Sequence, residues 1–268
     1  MRIGVIGLGN VGETIYKTLK SYHKEVVGYD KYKPSESFEE TIQSDIVFIS
    51  LPTDLNGAHL DCSIVRETLE KLEKIGYRGL VVIRSTLSMD FLKDIEKSTL
   101  RIVVMPEFLR ERFRFQDFIA PKIVVIGGRE EDVKLVMKGV FYWLEEKVPV
   151  YYVDYSTAVM SKLVMNAFAA TKISFANEVR RICSGFGVDP KLVMKMLVSE
   201  GRASPDYTDP NKGPFEGKCL PKDLEELMNC LDKSILLKAV KEVNDVVRKE
   251  WYKDSKALRT CYIRKGAT

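Results

Sequence analysis

A chain that opens on an apolar run, turns through clustered glycines and continues into a helical pattern has few folds open to it. Arg2 to Ile6 is such a run, Gly7-Leu8-Gly9-Asn10-Val11-Gly12 follows directly, and helix-compatible residues extend to about Ser21. In that setting the glycines have separate tasks. Gly7 permits a tight turn, Gly9 lets backbone approach a pyrophosphate, and Gly12 lets the helix pack closely on the strand. Asn10 and Val11 open the helix, where free N–H groups meet phosphate charge. A second strand, Glu25 to Tyr29, ends at Asp30, near the spacing at which a carboxylate holds a ribose 2′-hydroxyl. Its charge repels a 2′-phosphate and favours NAD over NADP, an effect that Lys31 and Lys33 beside it weaken.

The following strands are continuous apolar runs: Ile46 to Ser50, Leu80 to Ile83, Ile102 to Val104, Ile123 to Ile126 and Val150 to Val153, with a helix over Ser63 to Ile75. Such runs, separated by helices, predict a parallel sheet covered on both faces. Polar residues follow their carboxyl ends, where open α/β sheets place ligands. Leu51-Pro52-Thr53 brings backbone near a cofactor, and Thr53, Ser85-Thr86 and Glu107 are site candidates by location, although each singly could equally cap a helix. After Tyr155 the pattern becomes helical: Thr157 to Gly185, Pro190 to Ser199, Pro221 to Cys230 and Ile235 to Trp251, with a polar tail over Lys256 to Thr268. The predicted architecture is therefore α/β, a Rossmann-type parallel-sheet domain over residues 1–153 followed by an all-helical domain over 154–268.

Composition narrows the function. Lys and Arg (42) and Asp and Glu (38) leave a net charge of +4, and no basic tract supports a nucleic-acid partner. No apolar span reaches membrane length, and the first residues, already strand-like, give no room for a secretory leader. Five cysteines, odd in number and widely spaced, predict free thiols in a reducing cytoplasm. With only His23 and His59, no cluster has the spacing of a metal site.

Two groups in the helical half carry chemistry. Lys162 and Asn166 lie four apart, hence on one helix face, among Leu163, Val164, Met165 and Phe168. A lysine facing such a surface needs a partner or a ligand, or else snorkels to solvent. Cys219-Leu220-Pro221-Lys222-Asp223 places a thiol, a cation and a carboxylate within five positions. Proline favours the first helical position, which would set Cys219 beside exposed N–H groups and Lys222, both favouring a thiolate. Against this stands the ordinary buried, inert cysteine.

The chain resembles the UDP-glucose/GDP-mannose dehydrogenase family. The resemblance rests on the glycine turn, Leu51-Pro52-Thr53, Arg84-Ser85-Thr86, Pro106-Glu107-Phe108-Leu109-Arg110-Glu111, Ser161-Lys162-Leu163 with Asn166, Phe175-Ala176-Asn177-Glu178 and Gly217-Lys218-Cys219-Leu220-Pro221-Lys222-Asp223, in family order over nearly the whole chain. It implies NAD-dependent, four-electron oxidation of a sugar C6 alcohol to a carboxylate through a Cys219 thiohemiacetal and thioester. UDP-glucose is the leading substrate; GDP-mannose or a UDP-N-acetylhexosamine is the alternative. A two-electron hydroxyacid dehydrogenase of related architecture and an NAD-binding relic or regulatory subunit also remain as readings. It further implies that Lys162 and Asn166 steady oxyanions, Asp223 assists deprotonation and Glu107 assists thioester hydrolysis. Thr86 would hold a water or the nicotinamide environment. Lys222 would touch cofactor phosphates or pair locally. Phe108, Leu109 and Gly217 would line the sugar nucleotide, and Arg202 would reach a neighbouring subunit's substrate. The Thr157 to Gly185 helix resembles the family's dimerisation helix and implies a homodimer.

Three features depart from the family pattern. The family's usual third, nucleotide-gripping α/β domain has no counterpart in these residues. Only twelve residues separate Asp30 from Gln43. The loop before the cysteine reads Gly213-Pro214-Phe215-Glu216-Gly217-Lys218, with an acid where a sugar diphosphate is expected nearby.

Overall fold

A computed structural model describes the backbone of residues 1–265 except 145 and 232, and side chains through residue 253. The chain divides into two compact units, Met1–Lys162 and Leu163–Thr268.

The first unit is built on alternating strands and helices. In chain order these are β1 (Ile3–Ile6), α1 (Asn10–Tyr22), β2 (Val26–Tyr29), α2 (Phe38–Thr41), β3 (Ile46–Ile49), the short hairpin β4 (Leu55–Asn56) and β5 (His59–Leu60), and α3 (Ser63–Lys74). They continue with β6 (Leu80–Ile83), α4 (Leu92–Lys97), β7 (Arg101–Val104), α5 (Arg114–Ile119), β8 (Val124–Gly128), α6 (Glu130–Leu135) and β9 (Val150–Val153). Seven strands form one sheet in the order β2-β1-β3-β6-β7-β8-β9. Strands β1, β3 and β6 are buried at every position, as continuous apolar runs require when helices cover both faces. The helices are amphipathic: α1 buries Ile15 and Leu19, and α3 buries Val65, Leu69 and Leu72.

The sheet departs from the all-parallel expectation at one junction. β7 pairs with β8 antiparallel through Val103–Gly128 and Val104–Gly127, and β9 then runs parallel to β8. The segment between β7 and β8 contains only a 3₁₀ turn at Glu111–Phe113 and the six-residue α5, which packs on α1. Because α5 serves α1, it does not cover a crossover of the kind that joins parallel neighbours. Strands β2, β1, β3, β6 and β7 remain parallel, so their carboxyl ends share one edge. The chain reverses direction across the sheet between β2 and β3, making the β1/β3 crevice the topological switch point.

The second unit, which takes in most of α7 (Tyr155–Phe186), is helical, with α8 (Pro190–Ser199), α9 (Cys219–Asn229) and α10 (Ile235–Lys265). Asp189 caps α8 by accepting from Lys191 N–H at 2.9 Å, with Pro190 in the first turn. Ala167, Ala170, Phe215, Leu224, Met228 and Val240 form the core of this unit. Helix α9 begins at Cys219, two residues before the start that Pro221 suggests. A proline third in the helix still costs nothing, because its missing N–H is one of the four without an intrahelical partner. Helix α10 continues past Trp251 to Lys265. The side chains of the polar tail, Cys261 among them, lie outside the described residues.

Candidate active site

In the first unit the glycine turn sits at the switch point. Gly7 has φ +86°, and a Cβ there would lie 2.5 Å from the Ser50 carbonyl oxygen. A Cβ on Gly12 would lie 1.7 Å from the Gly7 oxygen, so the helix meets the turn with no room for any side chain. Gly9, by contrast, faces open space: a Cβ there meets nothing within 4 Å. Gly9 is also the N-cap of α1 and provides no side-chain acceptor, leaving the first-turn N–H groups to an external anion. These residues fit a dinucleotide pyrophosphate. Asp30, at the end of β2, accepts from Leu8 N–H at 2.7 Å and from Tyr32 N–H at 2.9 Å, which fixes its carboxylate against the turn. Lys33 also donates to the Leu8 carbonyl, tying its ammonium to the turn. Asn10 joins Glu111 and Arg114, and Arg114 pairs with Glu13 at 2.8 Å.

Across the crevice, Ser85 Oγ accepts from Leu51 N–H and donates to Leu51 O, both at 2.8 Å, stapling the ends of β3 and β6. Thr53 is buried, Thr86 half-buried and Pro52 exposed beside this staple. At the end of β7, Glu107 is buried, with Oε2 accepting from Leu109 N–H at 2.6 Å and Oε1 lying 3.2 Å from Lys162 Nζ. The ammonium lies 5.7 Å from the Phe108 ring centroid. The side chains of Lys162 and Glu107 are only 6% and 10% exposed, so the pair is desolvated and each charge depends on the other.

Arg84, which site-picking by sequence leaves out, adds a second cation here. It is 6% exposed, it reaches the Pro106 carbonyl at 3.5 Å, and its Nε has no hydrogen-bond partner. Burial pushes its guanidinium down to about 10, with the Glu107 charge working against that shift. The cluster of Arg84, Glu107 and Lys162 thus carries one excess positive charge away from water, an arrangement suited to developing negative charge. The available signal was an arginine directly after the all-apolar strand β6 and before Ser85-Thr86.

In the second unit, Asp223 is fully buried on α9. Its Oδ2 accepts from Asn166 Nδ2 at 2.5 Å and its Oδ1 pairs with Lys222 Nζ at 2.8 Å. Lys222 therefore pairs locally. Cys219 is exposed at the first position of α9, one turn before Asp223, at the positive end of the helix. Gly217, at φ +79°, precedes it. Arg202 is exposed and paired with Glu200 at 2.6 Å, and is not gathered with Asn166 and Asp223. Cys62 and Cys183 are buried, and Cys230 is exposed at the end of α9. Among the described residues no cluster of three or more His, Cys, Asp or Glu side chains could hold a metal. None of their helices is long and apolar enough to cross a membrane.

A glycine turn at the switch point of a doubly wound sheet, followed by a helical unit, defines a dinucleotide-binding architecture. Residues 31–145 match the NAD-binding domain of the UDP-glucose/GDP-mannose dehydrogenase family, and residues 156–246 match its central domain. The chain belongs to that family and carries these two of its domains. It is 30% identical over 239 residues to the UDP-glucose 6-dehydrogenase of Rickettsia bellii, covering 83% of this chain and 55% of the relative. It is 28% identical over 279 residues to the GDP-mannose 6-dehydrogenase of Pseudomonas syringae, covering 85% and 63%. The structure of a UDP-glucose dehydrogenase from Pyrobaculum islandicum aligns with a TM-score of 0.80 at 26% identity, covering 91% of this chain and 68% of that one. The chain spans just over half the length of the first curated relatives it matches.

Proposed function

We propose that the chain catalyses NAD-dependent oxidation of the C6 alcohol of a nucleotide sugar to the carboxylate, with UDP-glucose as the leading substrate. Bound NAD would supply the hydride acceptor. Gly7, Gly9, Asn10, Val11, Gly12 and Asp30 would hold its pyrophosphate and ribose, with Leu51, Pro52, Thr53, Ser85 and Thr86 beside its reactive end. The observation that carries the reading is the solvent-accessible Cys219 at a helix N-terminus, one turn before the Asn166–Asp223–Lys222 chain.

Asp223 would receive the proton as the alcohol loses hydride and becomes the aldehyde. The Cys219 sulfur would then attack the aldehyde carbon, forming a C–S bond and a thiohemiacetal oxyanion that Lys162 and Asn166 steady by donating hydrogen bonds. Loss of a second hydride leaves a thioester. Glu107 and Asp223 would orient and deprotonate the water that breaks the C–S bond, returning the thiol and releasing the carboxylate. In sum, one alcohol, one water and two NAD⁺ give one carboxylate, two NADH and three protons. Phe108, Leu109 and Gly217 would line the sugar nucleotide, with Arg202 serving a neighbouring subunit.

A homodimer is part of this reading. Val164, Phe168, Phe175, Ile182 and Phe186 fall on one stripe of α7, and all are exposed, Phe186 by 81%. A soluble chain covers such a stripe with a partner surface. On this reading the protein works in a reducing compartment, the cytoplasm, which an odd and widely spaced set of five cysteines supports.

The test is a nucleotide-sugar panel in which NADH is counted per molecule consumed. The reading requires two NADH with UDP-glucose and loss of carboxylate formation in Cys219→Ser. A yield of one NADH, unchanged in that variant, would replace it with two-electron chemistry. Better turnover of GDP-mannose or a UDP-N-acetylhexosamine would move the substrate. NAD binding without turnover on any member would leave a regulatory subunit.

A further inference from the structure

The loop that leads into Cys219 is held from α10. Phe215 N–H donates to Asn244 Oδ1 at 2.8 Å, and its carbonyl accepts from Asn244 Nδ2 at 3.1 Å, with both residues buried. Two turns along α10 the Trp251 ring covers Gly213, where a Cβ would lie 2.7 Å from the indole. At the next residue the Tyr252 hydroxyl lies 2.8 and 2.9 Å from the two carboxylate oxygens of Glu216. That hydrogen bond pushes the phenol's pKa up, so Tyr252 stays a donor through neutral and mildly basic pH.

What the hold prevents follows from the start of α9. Lys218, its N-cap, gives no side-chain hydrogen bond to the first turn. An N-terminus without such a cap attracts the nearest anion. Glu216 lies two residues before the N-cap and three before Cys219, so a released carboxylate would compete with the sulfur for the positive end of the helix.

We infer that Tyr252 is a positioning residue that holds the Glu216 carboxylate against α10 and so reserves the N-terminus of α9 for the Cys219 sulfur. This takes Cys219 as the nucleophile of the proposed function. Its test needs neither substrate nor turnover, so the two ideas fail separately.

The experiment is alkylation by iodoacetamide across pH, with each cysteine followed by peptide mass mapping. Tyr252→Phe should slow Cys219 labelling at pH 7 about three- to tenfold and move its rate–pH curve to higher pH, the effect of a carboxylate approaching a thiol. Adding Glu216→Gln should return the rate to within about twofold of wild type, since the double variant lacks the offending charge. A purely structural role for Tyr252 would not be rescued that way. A wild-type rate in Tyr252→Phe, or a double variant that stays slow, overturns the proposal. Cys62 and Cys183, 5% and 8% exposed, report unfolding by becoming labelled. If Tyr252→Phe opens the fold, Glu216→Gln alone decides. Labelling of Cys219 within about twofold of wild type supports a carboxylate already held away, whereas a several-fold faster rate means that it already reaches the thiol.

Discussion

Gly9 and Gly12 stand three positions apart in one motif, yet their surroundings assign opposite consequences to the same methyl group. Gly12→Ala places a Cβ 1.7 Å from the Gly7 oxygen, so the strand–helix joint must open. The loss should be about 3 kcal/mol, outweighing the ~1 kcal/mol that alanine gains in a helix. Gly9→Ala meets nothing within 4 Å, and its backbone, at φ −67° and ψ −168°, suits any residue. This variant should keep its Tm and lose NAD affinity, because the methyl group occupies the approach to the pyrophosphate. Calorimetric melting and titration with NAD separate the two effects. At Lys162 the relevant quantity is charge. Lys162→Met leaves Glu107 buried without its 3.2 Å partner, and urea unfolding should show a loss of about 3 kcal/mol. The remaining field of Arg84 keeps that value toward the low end of the range for broken buried pairs. Of these groups the glycines were legible in sequence because their task is local, while Glu107 and Lys162, 55 residues apart, could be picked singly but not paired without the fold. Arg84 was legible only as part of a family motif and carried no role of its own, since whether an arginine after a strand faces water or the interior is decided by distant residues.

Among the elements, the entry to β7 depends on a carboxylate. Glu73, near the end of α3, accepts from Ser98 Oγ at 2.6 Å, Thr99 N–H at 2.8 Å and Thr99 Oγ at 3.3 Å. The Ser98 hydrogen bond, followed by that of Thr99 N–H, holds its pKa below the usual glutamate value. Below that usual value, near 4.3, the unfolded chain takes up the proton more readily than the folded one. The stabilisation is therefore complete above about pH 4.3 and disappears as the pH falls through the lowered folded value. Glu73→Gln should flatten the acid side of a plot of urea midpoint against pH and leave the neutral side sloping as before. In the second unit, Phe215→Ala should lose about 3–5 kcal/mol, because this 5% exposed ring fills the small core shared with Leu224 and Met228. Sequence periodicity found the seven strands of the main sheet and the longer helices, because continuous apolar runs and amphipathic stripes are written locally, but missed the short α2, α4, α5 and α6 and the β4–β5 hairpin. It could not give the reversed direction of β8, which depends on α5 packing against α1. It set α9 two residues late by giving Pro221 the first position. It ended α10 at Trp251 because Lys, Ala, Leu and Arg in a polar tail suit a helix as readily as a loose end.

For the whole molecule, the proposed dimer would use the exposed stripe of α7. Ile182 is 58% exposed about one turn before the end of α7, so Ile182→Asp removes little from the fold of a single copy. The wild-type chain should scatter light as a dimer of 30.6 kDa copies and this variant as a monomer. Retention of the dimer in the variant would assign the contact to another face. The tryptophans offer a view of the same molecule that activity assays lack. The chain has two, and they fall one in each compact unit. Trp143 stacks on Tyr22 with ring centroids 3.9 Å apart, and Trp251 lies against Gly213 with the Arg180 guanidinium 5.4 Å from its ring. Each indole thus has surroundings of its own, and replacing either with phenylalanine leaves an intrinsic fluorophore that reports on one unit alone. Emission followed through a denaturant series in the two single-tryptophan proteins would show whether the sheet and the helices melt together or in turn.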